Sequence, residues 1–570
     1  MTYRQLNDEV KSHAEWLRSS GVEPSDRIAL CLPNGPEMAV AFLAAAAVAV
    51  CAPLNPDYRE QEFDFYLTDL RAKVLLLPHN SVSPARIVAE RLGIRVVELE
   101  PGNGEPAGVF RLEGDHAQAA SSTEHSSQSD PALILHTSGT TARPKMVPLT
   151  HANLTASAKN VQRALGLAPS DRCLNVMPLF HIHGLVAALL ATLSAGGSIV
   201  CSPGFHAPSF FDWMMECRPT WYTAVPTIHQ AVIARAPSHP DVISRQRWRF
   251  IRSSSAAMPP KLMQEIERTF EAPLIEAYGM TEAAHQMASN PLPPRPRKPG
   301  SVGVAAGPEL AILDENGRPV ATGKEGEIAV CGPTVTSGYL ESPGANAAAF
   351  SGKWLRTGDQ GYLDENGYLF ITGRLKEIIN RGGEKIAPNQ IDEILLDHPA
   401  VAQAVAFAMP DSRLGEEVAA AVVLRAGENA TERELREFAA SRLADFKIPR
   451  RVVIVDEIPK GPTGKLQRIG LAERLGLVPT DRPPKRIGTY DPPSTPVAQA
   501  IIRIWQSVLK VDRVGLHDNF LDLGGDSLQA TMIAARIRER FGVELTVLDL
   551  MDAQTVLEQT HILEQRTHRG

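Results

Sequence analysis

The sequence predicts an α/β protein in which a large multi-layer domain precedes a small α+β domain and an all-α tail. Strand and helix patterns alternate in the N-terminal part, as in layered α/β folds. Short strands separated by turn dipeptides follow between about 310 and 372, and only helical patterns remain after about 497. The predicted boundaries are 1–372, 373–475, a proline-rich linker at 476–496, and 497–570.

The individual elements follow from periodicity and from helix or strand breakers. Residues 6–20 have helical periodicity and Gly21 is a plausible stop, whereas Arg27 to Leu32 is a short apolar strand. The run from Ala39 to Leu54 predicts a buried helix that leads into a strand, and Val74–Leu77 predicts a further strand. In the small domain we expect strands near 403–408 and 418–424 and a helix near 431–443.

Composition and charge restrict the class of protein. The 570 residues are 44% hydrophobic and 22% charged, which is typical of a globular protein, and the net charge of −7 argues against a nucleic-acid partner. The polar start does not resemble a signal peptide, and the apolar run at 39–54 is too short to span a bilayer. We therefore expect a cytoplasmic protein without membrane contact, whose six cysteines are free thiols.

A loop rich in hydroxyl groups and glycine follows the strand predicted at Ala132–Leu135. Glycine lets backbone N–H groups approach an anion, while hydroxyls and one ammonium add donors for phosphate oxygens. The spacing is not that of a Walker loop. The candidate phosphate ligands are Thr137, Ser138, Gly139, Thr140, Thr141 and Lys145.

Four further motifs come later in the chain. They are Tyr278-Gly279-Met280-Thr281-Glu282, Arg356-Thr357-Gly358-Asp359, Gly373-Arg374-Leu375-Lys376-Glu377 and Pro459-Lys460-Gly461-Pro462-Thr463-Gly464-Lys465. An aromatic ring can stack on adenine, a carboxylate can hold Mg²⁺ or accept ribose hydroxyls, and an ammonium can stabilise phosphoryl charge.

With these motifs in this order, residues 1 to about 475 resemble the adenylate-forming superfamily, which includes acyl-CoA synthetases and the adenylation domains of nonribosomal peptide synthetases. The resemblance implies ATP and Mg²⁺ as cofactors, with Tyr278 on adenine, Thr281 at phosphate and Glu282 on Mg²⁺. It implies that Asp359 and Arg374 bind ribose and that Lys465 is the catalytic lysine. It also implies that the small domain rotates about Lys376.

The acyl pocket is predicted from Pro178-Leu179-Phe180-His181-Ile182-His183-Gly184, which resembles a segment of acyl- and aryl-acid ligases. His181 then corresponds to the gating histidine of that family. The stretch from Tyr278 to Asn290 resembles the oxalate–CoA ligase branch. We therefore expect a small polar acid, such as a short dicarboxylate, to contact His183, His285, Ser253 or Ser254, and the alternative is a medium-length acyl chain.

The tail contains Asp518-Asn519-Phe520-Leu521-Asp522-Leu523-Gly524-Gly525-Asp526-Ser527-Leu528, which resembles the phosphopantetheine attachment site of four-helix carrier domains. The resemblance implies that a phosphopantetheinyl transferase attaches 4'-phosphopantetheine to Ser527. A flexible arm raises the effective concentration of its thiol near the adenylate.

The sequence thus predicts a loading enzyme that makes an acyl-adenylate and passes the acyl group to its own carrier. A downstream biosynthetic enzyme would then collect the group in trans. The first alternative is a ligase that uses free CoA and has an auxiliary carrier. The second is a non-catalytic scaffold, against which the intact Lys465, Glu282 and Asp359 argue.

Overall fold

The computed structural model describes residues 1–102, 104–114, 127–137, 144–411, 414–461, 465–477, 493, 495–509, 511, 513–520, 523, 527–543, 545–546, 549–550 and 553–567. The chain divides into two compact units. The first comprises Met1–Ile378, Ala387–Asp397 and Glu457–Arg468, and the second comprises Ile379–Ile386, His398–Asp456 and Ile469–Gly570.

The first sheet of the first unit has seven strands, which are β1 (Arg27–Leu30), β2 (Val50–Pro53), β3 (Val74–Pro78), β4 (Arg95–Pro101), β5 (Phe110–Glu113), β6 (Pro131–Thr137) and β7 (Lys145–Thr150). Their order is β5-β4-β3-β1-β2-β6-β7, with antiparallel pairs only at the two ends. The antiparallel β6–β7 pair places Thr137 opposite Lys145, so the two flanks of the predicted phosphate loop are adjacent.

The second sheet also has seven strands, which are β8 (Arg172–Asn175), β9 (Ser198–Cys201), β10 (Trp221–Ala224), β11 (Phe250–Ser254), β12 (Leu274–Met280), β13 (His285–Ser289) and β14 (Val304–Ala305). The order is β14-β13-β12-β11-β10-β8-β9, and the strands from β9 to β12 are parallel. Parallel strands end at one edge of a sheet, where ligands of α/β proteins commonly bind.

A third, antiparallel sheet completes the strands of the first unit, with β15 (Glu309–Leu313), β16 (Gly326–Cys331), β17 (Phe350–Ser351), β18 (Trp354–Leu363) and β19 (Leu369–Arg374). Strand β18 pairs with β16, β17 and β19. The register of β18 and β19 sets Asp359 directly opposite Arg374, which brings two predicted ribose ligands together.

Helices cover the strands of the first unit and bury its apolar residues. They are α1 (Tyr3–Ser19), α2 (Pro36–Ala46), α3 (Glu60–Leu70), α4 (Pro84–Leu92), α5 (His151–Ala164), a π-helix (His183–Leu190), α6 (Ala191–Ser194), α7 (Phe210–Cys217), α8 (Pro226–Arg235), α9 (Pro240–Arg245), α10 (Pro260–Phe270), α11 (Pro343–Ala349) and α12 (Pro388–Leu396). Helix α2 has apolar residues on all sides and is almost entirely buried, as an Ala-rich core helix should be.

The second unit contains one more sheet and the helical tail. Its strands are β20 (Ile379–Arg381), β21 (Glu384–Ile386), β22 (Val401–Asp411), β23 (Gly415–Leu424) and β24 (Arg451–Ile454). Its helices are α13 (Glu432–Ala440), α14 (Leu471–Arg474), α15 (Pro496–Leu509), α16 (Ser527–Phe541) and α17 (Val556–Thr567). Trp505 and Phe520 meet edge to face at 5.4 Å in the core of the tail.

The predicted α/β class with a helical tail is therefore confirmed. Cysteines are free thiols, of which Cys31, Cys51 and Cys173 are buried and the other three are half-buried. Within the described ranges, no helix is both long enough and apolar enough to cross a bilayer.

Candidate active site

The predicted nucleoside end of the site is a network of three residues, of which Tyr278 lies on β12 of the second sheet and Asp359 and Arg374 lie on the paired strands β18 and β19 of the third. Tyr278 lies near the end of β12, and its hydroxyl donates to Oδ2 of Asp359. Arg374 Nε donates to the other carboxylate oxygen at 2.7 Å. Burial lowers the pKa of Arg374, but the ion pair with Asp359 outweighs it and raises that pKa. Asp359 is thus held as an oriented carboxylate whose remaining lone pairs suit ribose hydroxyls.

Glu282 is the buried carboxylate of the site. It lies in a single 3₁₀ turn, Thr281–Ala283, directly after β12, and only 7% of its surface is exposed. Its Oε1 accepts a hydrogen bond of 2.9 Å from the Tyr339 hydroxyl. Burial raises the pKa of Glu282, while that hydrogen bond and the charges of Arg374 and Lys145 oppose the increase. Thr281 is half-buried beside it.

The phosphate loop is described only at its two ends. Thr137 closes β6 and Lys145 opens β7, whereas Ser138, Gly139, Thr140 and Thr141 lie outside the described residues. The Lys145 ammonium lies 4.5 Å from the centre of the Tyr339 ring. Tyr339 therefore contacts both a predicted phosphate ligand and the predicted metal ligand.

Lys465 belongs to the same compact unit as these residues. Its side chain keeps contact with solvent, although surrounding protein atoms reduce its hydration. This desolvation, with the charge of Arg374, lowers the pKa of Lys465 to about 8, although Asp359, Glu377 and Glu282 oppose the change. The Lys465 charge in turn contributes to a lowered pKa of His181, so these two predicted site residues lie close enough to interact electrostatically.

The two histidines of the acyl segment occupy different environments. His181 is half-buried, and desolvation lowers its pKa to about 3. His183 begins the π-helix and is fully buried, with Nε2 2.6 Å from Thr223 Oγ1 and Nδ1 3.1 Å from Ser255 Oγ. Its ring lies 5.0 Å from the ring of His285 on β13.

A buried arginine lies beneath these rings. Arg252 Nη1 donates to Thr223 Oγ1 at 3.2 Å and lies 3.4 Å from His183 Nε2, and Nη2 donates to Gln286 Oε1 at 3.2 Å. In the described part of the chain, Arg252 forms no ion pair with a carboxylate. Burial lowers the pKa of Arg252 to about 9, so the guanidinium is still charged at neutral pH. In the described chain this cation therefore has no carboxylate to balance its charge.

Several polar atoms around Arg252 are buried without a partner. They are Arg252 Nε, Ser254 Oγ, Gln286 Nε2 and both ring nitrogens of His285. Buried polar groups are normally satisfied, so such a group of open donors indicates a ligand site. The predicted pocket residue Ser253 lies on the other face of β11, where its hydroxyl is 3.5 Å from Met258 Sδ.

The predicted hinge residue Lys376 and the predicted attachment residue Ser527 belong to different units. Lys376 is exposed and lies two residues before the boundary between the two units. Nearby, Arg468 is nearly buried and pairs with Glu377 at 3.1 Å and with Asp392 at 2.7 Å. Ser527 is the first residue of α16, in the second unit.

Sequence reasoning missed Arg252, Gln286 and Tyr339. One signal was available for Arg252, which is a charged residue within the otherwise apolar strand Phe250–Ile251 and its small-residue continuation. Tyr339 and Gln286 carry no comparable signal, because their role depends on contacts with residues 57 and 34 positions away.

Comparisons with known proteins identify three matching domains. Residues 1–340 match the family of AMP-binding enzymes, residues 390–465 match the AMP-binding enzyme C-terminal domain, and residues 499–563 match the phosphopantetheine attachment site.

Individual relatives resemble most of the chain. An oxalate–CoA ligase of Arabidopsis thaliana is 45% identical over 83% of this chain and 93% of its own length. An oxalate–CoA ligase of Saccharomyces cerevisiae is 42% identical over 83% and 92%. The crystal structure of ATP-bound MatB from Rhodopseudomonas palustris superposes with a TM-score of 0.75 at 30% identity, over 83% of this chain and 93% of that one. This chain therefore belongs to the adenylate-forming AMP-binding enzymes, as an acid–thiol ligase with oxalate–CoA ligases among its relatives and a phosphopantetheine attachment domain.

Proposed function

We propose that this enzyme uses ATP and Mg²⁺ to activate a short dicarboxylic acid such as oxalate, and then transfers the acyl group to the thiol of a phosphopantetheine on Ser527. One observation supports the substrate class above all others. Arg252 is a fully buried cation that lacks a carboxylate partner in the described chain and is surrounded by open hydrogen-bond donors.

The chemistry of this cluster favours an anionic group over an alkyl chain. A buried carboxylate needs donors that replace its hydration, and Arg252, His285 and Ser254 supply them. An alkyl chain would leave the same donors unsatisfied, at a cost of about 1–3 kcal/mol for each group. A medium-chain acid, which was the sequence-based alternative, is therefore disfavoured, and the relatives described above are named for oxalate.

In the first step, one substrate carboxylate attacks the α-phosphorus of ATP and pyrophosphate leaves. Lys465 stabilises the negative charge that develops on the phosphoryl oxygens. Asp359, Arg374 and Tyr278 hold the nucleoside end, and their network is already formed without ligand. No protein nucleophile takes part, because the substrate carboxylate performs the attack.

The residues present fit Mg²⁺ at Glu282. The described chain contains no cluster of three or more His, Cys, Asp or Glu side chains able to hold a metal alone. Mg²⁺ characteristically binds one or two carboxylates together with substrate phosphates, and Glu282 provides such a carboxylate. When bound, the ion neutralises phosphate charge and orients the leaving pyrophosphate.

In the second step, a thiol attacks the acyl carbon, a thioester forms and AMP leaves. We assign the thiol to pantetheine on Ser527 because this serine opens α16 within a matched attachment domain. Ser527 carries the pantetheine arm. Between adenylate formation and thioester formation, the small domain turns about Lys376 and withdraws Lys465 from the site. A transferase must install the arm, and a downstream enzyme must remove the acyl group. The second candidate acceptor is free CoA, which the CoA-ligase names of the relatives favour.

Acid-dependent exchange of labelled pyrophosphate into ATP tests the substrate class. We expect oxalate to support exchange well, malonate less well, and acetate and octanoate poorly. Good exchange with octanoate together with none for oxalate would refute the assignment of a dicarboxylate.

Replacing Arg252 tests the residue that carries the proposal. We expect Arg252→Met to raise KM for oxalate by about 10- to 100-fold, since a charge-assisted contact is worth about 1.5–3 kcal/mol. KM for ATP should stay unchanged, which shows that the variant is folded. Arg252→Lys should recover part of the loss, and Arg245→Met, at an exposed arginine that ends α9, is the control. Equal losses with oxalate and acetate would contradict the proposed role of Arg252.

A further inference from the structure

The Tyr339 side chain joins two parts of the nucleotide site. Its hydroxyl donates to Glu282 Oε1 at 2.9 Å, and its ring lies beneath the Lys145 ammonium at 4.5 Å. We propose that Tyr339 is a positioning residue that fixes the Glu282 carboxylate for magnesium and couples it to the lysine of the phosphate loop. The inference rests on the proposed role of Glu282, and it does not depend on which acid is activated.

The backbone of Tyr339 is itself held rigidly. Tyr339 N donates to Asn346 Oδ1 at 2.7 Å, and Asn346 Nδ2 donates to the carbonyl oxygen of Tyr339 at 2.9 Å. The next residue, Leu340, donates its N–H to the Met146 carbonyl on β7 at 3.0 Å. A side-chain amide on one side and a strand on the other therefore set the position of the phenol.

Glu282 is tied to the same segment through its main chain. Thr336 N donates to the Glu282 carbonyl at 2.8 Å, and Thr336 Oγ1 donates to the Pro148 carbonyl at 2.7 Å. Asn153 adds contacts from α5 to the carbonyls of Pro333 and Val335, at 2.7 and 3.2 Å. The segment 333–340 thus connects β7, which carries Lys145, with the turn that carries Glu282.

This arrangement resolves a difficulty of burying a metal ligand. Glu282 is only 7% exposed, so water alone cannot orient its carboxylate. A carboxylate that rotates freely would also lose conformational entropy when it binds a metal ion, and this loss would weaken the binding. Tyr339 donates its hydrogen bond to Oε1, so Oε2 does not receive this contact and can face the cation. Hydrogen-bond partners behind a ligand commonly change metal affinity by about 10- to 100-fold.

The two contacts of Tyr339 can be separated by mutation. Tyr339→Phe removes the hydroxyl and keeps the ring beneath Lys145, whereas Tyr339→Leu removes both. The matched control is Tyr362→Phe, at a tyrosine of β18 whose ring stacks on Phe370 at 5.0 Å. Thermal unfolding of each variant shows whether the fold is retained.

The test uses direct metal binding as well as activity. Mn²⁺ binding to the full chain with a non-hydrolysable ATP analogue is followed by electron paramagnetic resonance, and the Mg²⁺ requirement of pyrophosphate exchange is measured in parallel. We expect Tyr339→Phe to weaken Mn²⁺ binding about 10-fold, with KM for ATP at saturating metal unchanged. Tyr339→Leu should add a several-fold increase in KM for ATP, and Tyr362→Phe should change neither.

Unchanged Mn²⁺ affinity in Tyr339→Phe overturns the proposal, whether or not the variant loses thermal stability. A wild-type enzyme that binds Mn²⁺ and nucleotide but fails to activate dicarboxylates would instead count against the proposed substrate, and it would leave the role of Tyr339 intact.

Discussion

We propose that the first half-reaction depends on Lys465. Its ammonium faces the charges of Arg374, Asp359 and Glu282 in one compact unit. We expect Lys465→Ala to slow adenylate formation by about 10²- to 10³-fold, the usual loss for one stabilising donor. Conversion of a chemically prepared acyl-adenylate to thioester should continue, since Lys465 takes no part in that step. Undiminished adenylate formation, measured as pyrophosphate release, would contradict this role.

The lowered pKa of Lys465 predicts a pH dependence. Desolvation lowers the pKa of Lys465 from its ordinary value of 10.5 to about 8, so the ammonium is present below that pH and is lost as pH rises through it. We expect kcat/KM of the adenylation step to decrease above about pH 8, because this parameter reports ionisation of the free enzyme. Lys465→Arg should be slower but should lack this alkaline decrease, since guanidinium remains charged. A flat profile in the wild type would contradict the assignment.

At this scale the sequence predicted residues that belong to short contiguous motifs. Tyr278, Glu282 and Lys465 lie within such motifs, and the structure brings them into one unit. Arg252 and Tyr339 were missed because their neighbours in space come from distant parts of the chain. Ser253 and Ser254 are adjacent in sequence, yet only Ser254 is on the Arg252 face, because side chains alternate along a strand.

Strand β12 carries a buried carboxylate in addition to Tyr278, the predicted adenine ligand. Glu276 is 6% exposed and its Oε2 has no hydrogen-bond partner. Burial raises its pKa to about 8, with Glu267 and Glu393 adding to the increase and Arg297 opposing it. This carboxyl is therefore neutral in the folded protein at moderate pH.

The raised pKa of Glu276 makes stability depend on pH. Its folded pKa lies above the unfolded value, so its stabilising contribution is full below about pH 4.5 and is lost as pH rises through about 8. Urea unfolding should show that Glu276→Gln gains stability over wild type as pH increases, by an amount on the order of 5 kcal/mol. Exposed Glu365→Gln is the control. An equal difference between Glu276→Gln and wild type at about pH 5 and about pH 9 would contradict the assignment.

Most long elements were predictable because their patterns are local. The helix expected at 6–20 is Tyr3–Ser19, and the helix-to-strand run at 39–54 becomes Pro36–Ala46 and Val50–Pro53. The strand expected at 403–408 extends over Val401–Asp411. The π-helix at His183–Leu190 was not predicted, because its apolar, almost wholly buried residues have no distinguishing period and tertiary packing fixes its geometry.

The whole chain combines an AMP-binding enzyme with a phosphopantetheine attachment domain. The family models match both parts, while the acceptor thiol follows from the proposal alone. The two acceptors predict different behaviour of Ser527→Ala. If the carrier accepts the acyl group, the variant should form adenylate normally and accumulate no protein thioester. Steady formation of a CoA thioester by this variant would favour the CoA ligase alternative.

The most direct test is the intact mass of the holo-protein after incubation with ATP, Mg²⁺ and each of a set of small acids. The account predicts a mass increment with oxalate that maps to Ser527 and is absent with octanoate. If no acid loads the carrier, but one forms a thioester as soon as CoA is added, the enzyme is a CoA ligase and its attachment domain has another role.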